Sequence, residues 1–350
     1  MPFTDEFRVF QSDIETILRD FFNQKMQAAV YRPIVSELLG MIRDLSLRGG
    51  KRLRPALLWG GHACFSAGVT EGVKIAGAAC ELMQSSLLIH DDIMDHAEVR
   101  RGGPSMHCAY EQFSEGDLTS DQSNAMAILA GDAAGYLGIE LLGISGFPPA
   151  VVQKVTALYG QIMVDETYGQ ALDVYPRDIG VLKTADILDI YRYKTSRYTT
   201  EFPLMAGALL AGQDDTTVQL MLQIGKDLGI AFQIQDDVLG VFGDPAVTGK
   251  SDRSDLAEGK RTLLAVMTHE QATAEQREVF DTLFGRPDIS QVQAEQLRQI
   301  MRETKALEQA GALAATYFRE IRTVIGSASW RPEGKAWLLQ LISLIELRTI

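Results

Sequence analysis

Cysteine is scarce: Cys64, Cys80 and Cys108 are the only three in 350 residues, with no CxxC spacing. That excludes a disulfide framework and a paired-cysteine metal or redox site, and the three read as reduced, buried thiols. Positive charge is also in deficit, with 33 Lys and Arg against 46 Asp and Glu, a formal net charge of -13. A surface that acidic repels nucleic-acid phosphates and anionic lipid, so neither is expected as a general partner. Long hydrophobic runs are missing. The best candidate, residues 128–144, is broken by Asp132 and Glu140, so no transmembrane segment is expected. The first residues are acidic where a signal peptide is basic, and they lack an apolar stretch, which points to a cytoplasmic protein. The five histidines (His62, His90, His96, His107, His269) fall at no zinc-binding spacing.

What the chain does have is helical periodicity. Apolar residues recur at three- and four-residue intervals over 73–97, 124–142, 151–173, 184–211, 218–242 and 294–325. Alternating strand patterns are rare. The 11 prolines include Pro148, Pro149, Pro245 and Pro287, which punctuate the segments. No stretch is long or biased enough to be an interdomain linker. The expectation is one all-α domain over residues 1–350, with roughly a dozen helices of ordinary length. Glycine pairs at Gly135 and Gly138, and at Gly225 and Gly229, suggest close approach between helices. After about Glu270 the chain carries no recognisable motif and reads as scaffold.

The sharpest feature is Asp91-Asp92-Ile93-Met94-Asp95. Residues four apart share a helix face, so Asp91 and Asp95 lie side by side. Two such charges about 6 Å apart repel by roughly 3 kcal/mol at an effective dielectric near 20. They also sit where the helix pattern ends, and the macrodipole disfavours anions there. A divalent cation removes both objections, and magnesium binds through one or two carboxylates together with phosphate oxygens. A solvated acidic helix end is the plain alternative. Against it, the residues upstream are apolar or small (Ala79, Cys80, Met83, Leu87, Leu88), an odd setting for surface charge. Arg100-Arg101-Gly102-Gly103 follows at once, and guanidinium forks match phosphate oxygens.

A second acidic helix end lies at Asp236-Asp237, where the position four residues on is Gly240 and the next carboxylate is Asp244. Gly49-Gly50-Lys51-Arg52-Leu53-Arg54-Pro55 is the strongest basic cluster, and cations at a helix start are unfavourable unless they hold an anion, a solvated basic patch being the plain alternative. Lys250 and Gly259-Lys260-Arg261 add cations after the second acidic site. Lys194-Thr195 precedes Pro203, which should kink its helix.

In order, GGKRLRP, ELMQ, DDIMD with RRGG, GDAA, GQALD, YKTSR, FQIQDD, GK and GKRT resemble the trans-isoprenyl diphosphate synthases from about Arg48 to Thr262. The resemblance implies an all-α helical bundle with a central cavity (the isoprenoid synthase type I fold), usually homodimeric. It implies condensation of isopentenyl diphosphate with an allylic diphosphate by ionisation, condensation and proton loss. By that resemblance Asp91, Asp95 and Asp236 hold three magnesium ions, and Arg100, Lys194 and Lys250 hold the allylic diphosphate. Lys51, Arg54, Gln84 and Arg101 correspond to the isopentenyl diphosphate site. Lys194, Thr195 and Gln233 correspond to the catalytic groups, with Thr195 and Gln233 stabilising the allylic cation. Gly240 departs from the pattern, since many members carry a third aspartate there.

Product length is read from helix geometry. The growing chain runs from Asp91 toward the helix N-terminus, at about 5.4 Å per turn. Ser86 and Leu87 lie one turn down, where short-chain members often place an aromatic plug, and Met83 lies deeper. Ser86 is small, so geranylgeranyl diphosphate (C20) is the expected product, with C25 or longer the alternative. Two rival readings are a class I terpene cyclase, which needs only one diphosphate site, and a non-catalytic subunit of a heteromeric synthase, which should have lost its acidic ligands.

Overall fold

Apart from one two-stranded hairpin, every regular element in the computed structural model is helical; it describes residues 3–29, 32–115, 117–175, 178–244 and 253–347. Sixteen α-helices occur among these residues, more than the dozen expected. The surplus comes from short helices that periodicity does not register, such as Met106–Phe113 and Ser254–Glu258, and from the division of 184–211 into several elements. Contacts divide the chain into two compact units. One comprises Met1–Ile162, Phe202–Leu222 and Trp330–Leu338; the other comprises Met163–Glu201, Gln223–Ser329 and Leu339–Ile350.

The first unit is organised around α4 (Glu71–Met94), preceded by α1 (Phe3–Ala28), α2 (Pro33–Leu47) and α3 (Leu53–Ala63). Thr70 caps α4 by accepting a hydrogen bond from the Val73 amide at 3.3 Å. Between Val73 and Ile89 almost every α4 side chain is buried, so α4 is a core helix rather than an amphipathic one. After α5 (Met106–Phe113), α6 (Ser120–Gly143) lies against it with a seam of small residues: Ala127, Ala130, Gly131, Ala134 and Gly138. A Cβ at Gly131 would fall 2.2 Å from His90 Nε2, and one at Gly138 would fall 2.5 Å from Tyr159 Oη. The close approach expected of Gly138 is therefore real. By length and composition α6 alone among the described helices could cross a membrane, with 44% of its apolar window buried. It carries Asp121, Asp132 and Glu140, and its small-residue face is occupied by α4. Near the C-terminus, Trp337 packs tilted against Trp59 with centroids 3.9 Å apart and donates its indole N–H to the Ala56 carbonyl at 2.9 Å. Cys64 and Cys80 are buried thiols as expected, while Cys108 is only half-buried.

The second unit holds the latter parts of α7 (Pro149–Val174) and α10 (Asp215–Phe242), together with α8 (Thr184–Ile190) and a π-helix over Tyr191–Glu201. The kink expected from Pro203 is instead taken up in these wide turns. Pro203 itself sits where the π-helix passes directly into α9 (Phe202–Leu210), and it donates no backbone hydrogen bond there. Glycines on the flanking helices admit the π-helix backbone. A Cβ at Gly169 would lie 2.1 Å from the Lys194 nitrogen, at Gly225 2.6 Å from Glu201 Cα, and at Gly229 2.3 Å from Ser196 Oγ. Ion pairs lock the same segment: Arg197 bridges Asp165 and the fully buried Glu201, to which its Nη1 stands at 2.6 Å. The remaining helices are α11 (Ser254–Glu258), α12 (Leu263–Gln271), α13 (Ala274–Leu283), α14 (Gln291–Glu303), α15 (Ala306–Ser327) and α16 (Pro332–Glu346). Phe280, Leu264, Leu297 and Met301 centre the apolar cluster beneath them.

Candidate active site

In the first unit the acidic motif closes α4 as its spacing predicts. Asp91 is on the last turn, and Asp95 is the C-cap, its N–H bonded to the Asp91 carbonyl at 2.9 Å. Asp92 between them points inward and is fully buried. Arg100 Nε donates to Asp92 Oδ1 at 2.8 Å, and the same guanidinium stands 3.9 Å from Asp91 Oδ2. Burial raises the Asp92 pKa, with Arg100 opposing it. Arg100 belongs to β1 (Val99–Arg100), paired antiparallel with β2 (Gly103–Pro104). The expected loop is thus a tight hairpin. Arg101 and Gly102 form its turn with φ of 53° and 72°, the left-handed pair that matches strand twist in a two-residue connection. Arg48 anchors it by donating to the Pro104 carbonyl at 2.6 Å.

The basic cluster sorts into inward and outward members. Arg52 is buried against Glu81 at 2.6 Å and Glu15 at 3.2 Å, so its charge is spent inside the fold. Lys51 is exposed, its carbonyl accepting from Gln11 Nε2 at 2.8 Å. Arg54 is half-buried near the start of α3. Arg101 reaches the Leu45 carbonyl at 3.4 Å; burial lowers its pKa, Glu81 opposes that, and Arg52, Arg54 and Arg100 add to the lowering. Guanidiniums from two distant stretches of sequence therefore converge. Gly50 borders them in a backbone conformation, φ 104°, that favours glycine. Gln84 is half-buried on α4, three residues past Glu81. Met83, Ser86 and Leu87 are all buried on α4, at 0%, 1% and 8% exposure, so a substituent at Ser86 meets packed surroundings.

In the second unit the π-helix presents Lys194 and Thr195, both half-buried. Lys194 Nζ is paired with Asp173 at 2.5 Å. Thr195 Oγ1 donates to Gln233 Oε1 at 2.9 Å, which brings together two residues that sequence placed 38 positions apart. Gln233 Nε2 in turn donates to Asp237 Oδ1 at 2.9 Å. Asp237 is 2% exposed, while its neighbour Asp236 is half-buried. Burial pushes the Asp237 carboxyl up to about 8; Lys260 pulls against this, and Asp255 and Asp173 add to it. Desolvation works against the Lys260 ammonium, yet Asp237, Asp255, Asp173 and Asp236 together hold its pKa above the ordinary lysine value. The place left open by Gly240 is filled from elsewhere in the chain: Asp255 Oδ2 lies 2.1 Å from where a Cβ would stand. Lys250 lies outside the described residues.

Two carboxylates at one helix end, flanked by an arginine hairpin and a guanidinium cluster, form a frame in which known proteins can be compared. The sequence model of the polyprenyl synthetase family matches residues 35–302. This chain belongs to the polyprenyl synthetase family. It is 32% identical over 292 residues to a geranylgeranyl diphosphate synthase of Sulfolobus acidocaldarius, covering 82% of this chain and 84% of that one. It is 33% identical over 297 residues to a geranylfarnesyl diphosphate synthase of Aeropyrum pernix, covering 82% and 86%. Its structure is similar to that of a Corynebacterium glutamicum geranylgeranyl pyrophosphate synthase complexed with isoprenyl diphosphate and magnesium. There the TM-score is 0.86 at 29% identity, over 96% of this chain and 99% of the other. The helical architecture is the isoprenoid synthase type I fold, and the activity at family level is trans-prenyl transfer.

Within this polyprenyl synthetase framework, sequence reasoning missed the roles of four residues. Asp237 and Tyr191 support the Gln233 amide, Asp255 covers Gly240, and Lys260 gathers carboxylates. Asp237 and Lys260 left traces in sequence, as half of the second acidic pair and as one more cation after it; Tyr191 and Asp255 left none.

Proposed function

We propose that this chain condenses isopentenyl diphosphate with allylic diphosphates to give geranylgeranyl diphosphate. One observation supports the reading: the first unit gathers two groups of cations, Arg100 beside the Asp91 and Asp95 end, and Arg54 with Arg101 next to it. A reaction with two diphosphate substrates needs both, whereas a cyclase with one has no use for the second. The similar proteins named as geranylgeranyl and geranylfarnesyl diphosphate synthases support the same chemistry and a product of that size.

Asp91, Asp95 and Asp236 would hold three magnesium ions. The donor chemistry fits: Asp91 and Asp95 are hard oxygen donors one helical turn apart at the end of α4. Magnesium characteristically completes one or two carboxylates with waters and substrate phosphate oxygens. When bound, it would neutralise the negative charge that develops on the departing diphosphate. Arg100, Lys194 and Lys250 would hold the allylic diphosphate. Arg100 and Lys194 rest on Asp92 and Asp173, acidic partners that a diphosphate would displace. Lys51, Arg54, Gln84 and Arg101 would hold isopentenyl diphosphate.

In the reaction the allylic C1–O bond breaks and the electron pair leaves with diphosphate. The isopentenyl double bond attacks C1, and a proton is lost from the adjacent carbon to the diphosphate just released. Thr195 and Gln233 offer oxygen lone pairs to the transient cation, and an apolar site keeps water from it. The tail would extend along α4 toward Ser86, Leu87 and Met83. Residues 1–350 would act as one cytoplasmic catalytic domain. A second copy of the chain would cover the exposed apolar residues of α6, Ile128, Leu129 and Tyr136, to make a homodimer.

The test is purified protein with magnesium, labelled isopentenyl diphosphate and separate C5, C10 and C15 allylic primers. A labelled C20 diphosphate is expected. Cyclised hydrocarbon would support a cyclase, and turnover only with an added subunit would make this chain a partner.

A further inference from the structure

The hydrogen bonds behind Thr195 run in one direction, and the backbone fixes that direction. Leu263 is the first residue of α12, where amides have no partner within the helix. Its N–H donates to Tyr191 Oη at 2.7 Å. A backbone amide cannot reverse its role, so with Asp237 ionised beside Lys260 the phenol proton is left to point at Asp237 Oδ2, which it does. Asp237 Oδ1 accepts from Gln233 Nε2 at 2.9 Å. With its nitrogen held there, the Gln233 amide turns Oε1 the other way, and Thr195 Oγ1 donates to it at 2.9 Å. The hydroxyl has one proton, and that proton is now committed. What Thr195 has left to offer is lone pairs. The inner end of this chain is buried, with Tyr191 at 5%, Asp237 at 2% and Leu263 at 1% exposure, while Thr195 and Gln233 are half-open.

We infer that Asp237 and Tyr191 are positioning residues that set the polarity of the Gln233 amide, so that Thr195 and Gln233 present oxygen lone pairs to the allylic cation. The inference rests on the proposed prenyl transfer and gives a role to the one acidic residue of the second cluster that is buried. Neither Asp237 nor Tyr191 touches substrate. Each acts through the amide.

Asp237→Asn is the informative change because it keeps shape and reverses capacity. The new Nδ2 can donate to Gln233 Oε1, which turns Gln233 Nε2 toward Thr195 and sends the threonine proton outward, toward the cation. The expected result is a loss of at least tenfold in kcat with the KM for isopentenyl diphosphate unchanged. The magnesium concentration for half-maximal rate should also stay within twofold of wild type. Adding Gln233→Glu returns a carboxylate that can accept from both Thr195 and the amide introduced at position 237, so the double variant should recover most of the lost kcat. A packing or metal-holding role for Asp237 predicts no such recovery. Tyr191→Phe, as an independent variant should Asp237→Asn fold poorly, is expected to lower kcat several-fold at unchanged KM. If wild-type protein turns over the labelled substrates but Asp237→Asn keeps its kcat, or the exchanged pair stays as slow as the single variant, the inference is overturned. Absence of turnover by wild type would instead overturn the prenyl-transfer reading.

Discussion

Replace Gly240 with aspartate, the residue many related synthases carry there, and the new side chain meets one already in place. The first added atom would lie 2.1 Å from Asp255 Oδ2 and 2.9 Å from its Cγ. Ordinary contact needs about 3.5 Å between heavy atoms, so the Asp255 carboxylate must retreat by more than an ångström. It would then face a second carboxylate at about 5 Å, a repulsion of roughly 3 kcal/mol at an effective dielectric of 20. Both positions are half-exposed, and solvent screening brings this nearer to about 1–2 kcal/mol. The gain from replacing a helical glycine offsets no more than about 1 kcal/mol. Without magnesium, differential scanning fluorimetry should show Gly240→Asp melting a few degrees below wild type, and adding Asp255→Gly should restore it. In a magnesium titration of the rate, the single variant should need more metal, not less. A variant that is more stable and saturates at lower magnesium would refute the reasoning, because position 240 would then be an open ligand site.

Three further changes test other parts of the molecule. Ser86→Phe should shorten the product by about one isoprene unit, since the ring occupies roughly one helical turn; chromatography of the product reads this, and an unchanged product removes Ser86 from the chain-length pocket. Glu81→Gln leaves the Arg52 guanidinium buried with Glu15 alone, and chemical denaturation should show a loss of about 3 kcal/mol or more. Gly229→Ala drives a methyl group to 2.6 Å from Ser196 Cα, a backbone atom that cannot swing aside. It should lower both stability and kcat by displacing the π-helix that carries Lys194 and Thr195, and wild-type kinetics in that variant would contradict the account of Gly229.

The helical class was legible because period and length are local properties, and α4, α6, α7 and α10 are long enough to register. The Asp91 and Asp95 end was legible for the same reason. Close approaches at Gly138, Gly225 and Gly229 were also visible, since a glycine inside an apolar helix has few other uses. Roles set by distant partners were not. Asp236 and Asp237 are indistinguishable as neighbours in sequence; what separates them is Tyr191, 46 residues away, which arrives to bury one of them. Arg52 and Arg54 differ in the same way, because Glu81 on another helix claims the first. The wide turns of 191–201 were read as a kink. Pro203 signalled an irregularity, but the glycines that decide its form lie on α7 and α10.

The central claim is that the carboxylates ending α4 and α10 hold metal for a diphosphate. It is tested most directly by an anomalous difference map from crystals of the full chain with manganese in place of magnesium and an unreactive allylic diphosphate analogue. Peaks at about 2.1 Å from Asp91, Asp95 and Asp236 oxygens, each shared with a phosphate oxygen of the analogue, are the predicted result. Analogue bound with all three side chains turned to bulk solvent and no peak beside them would contradict the account.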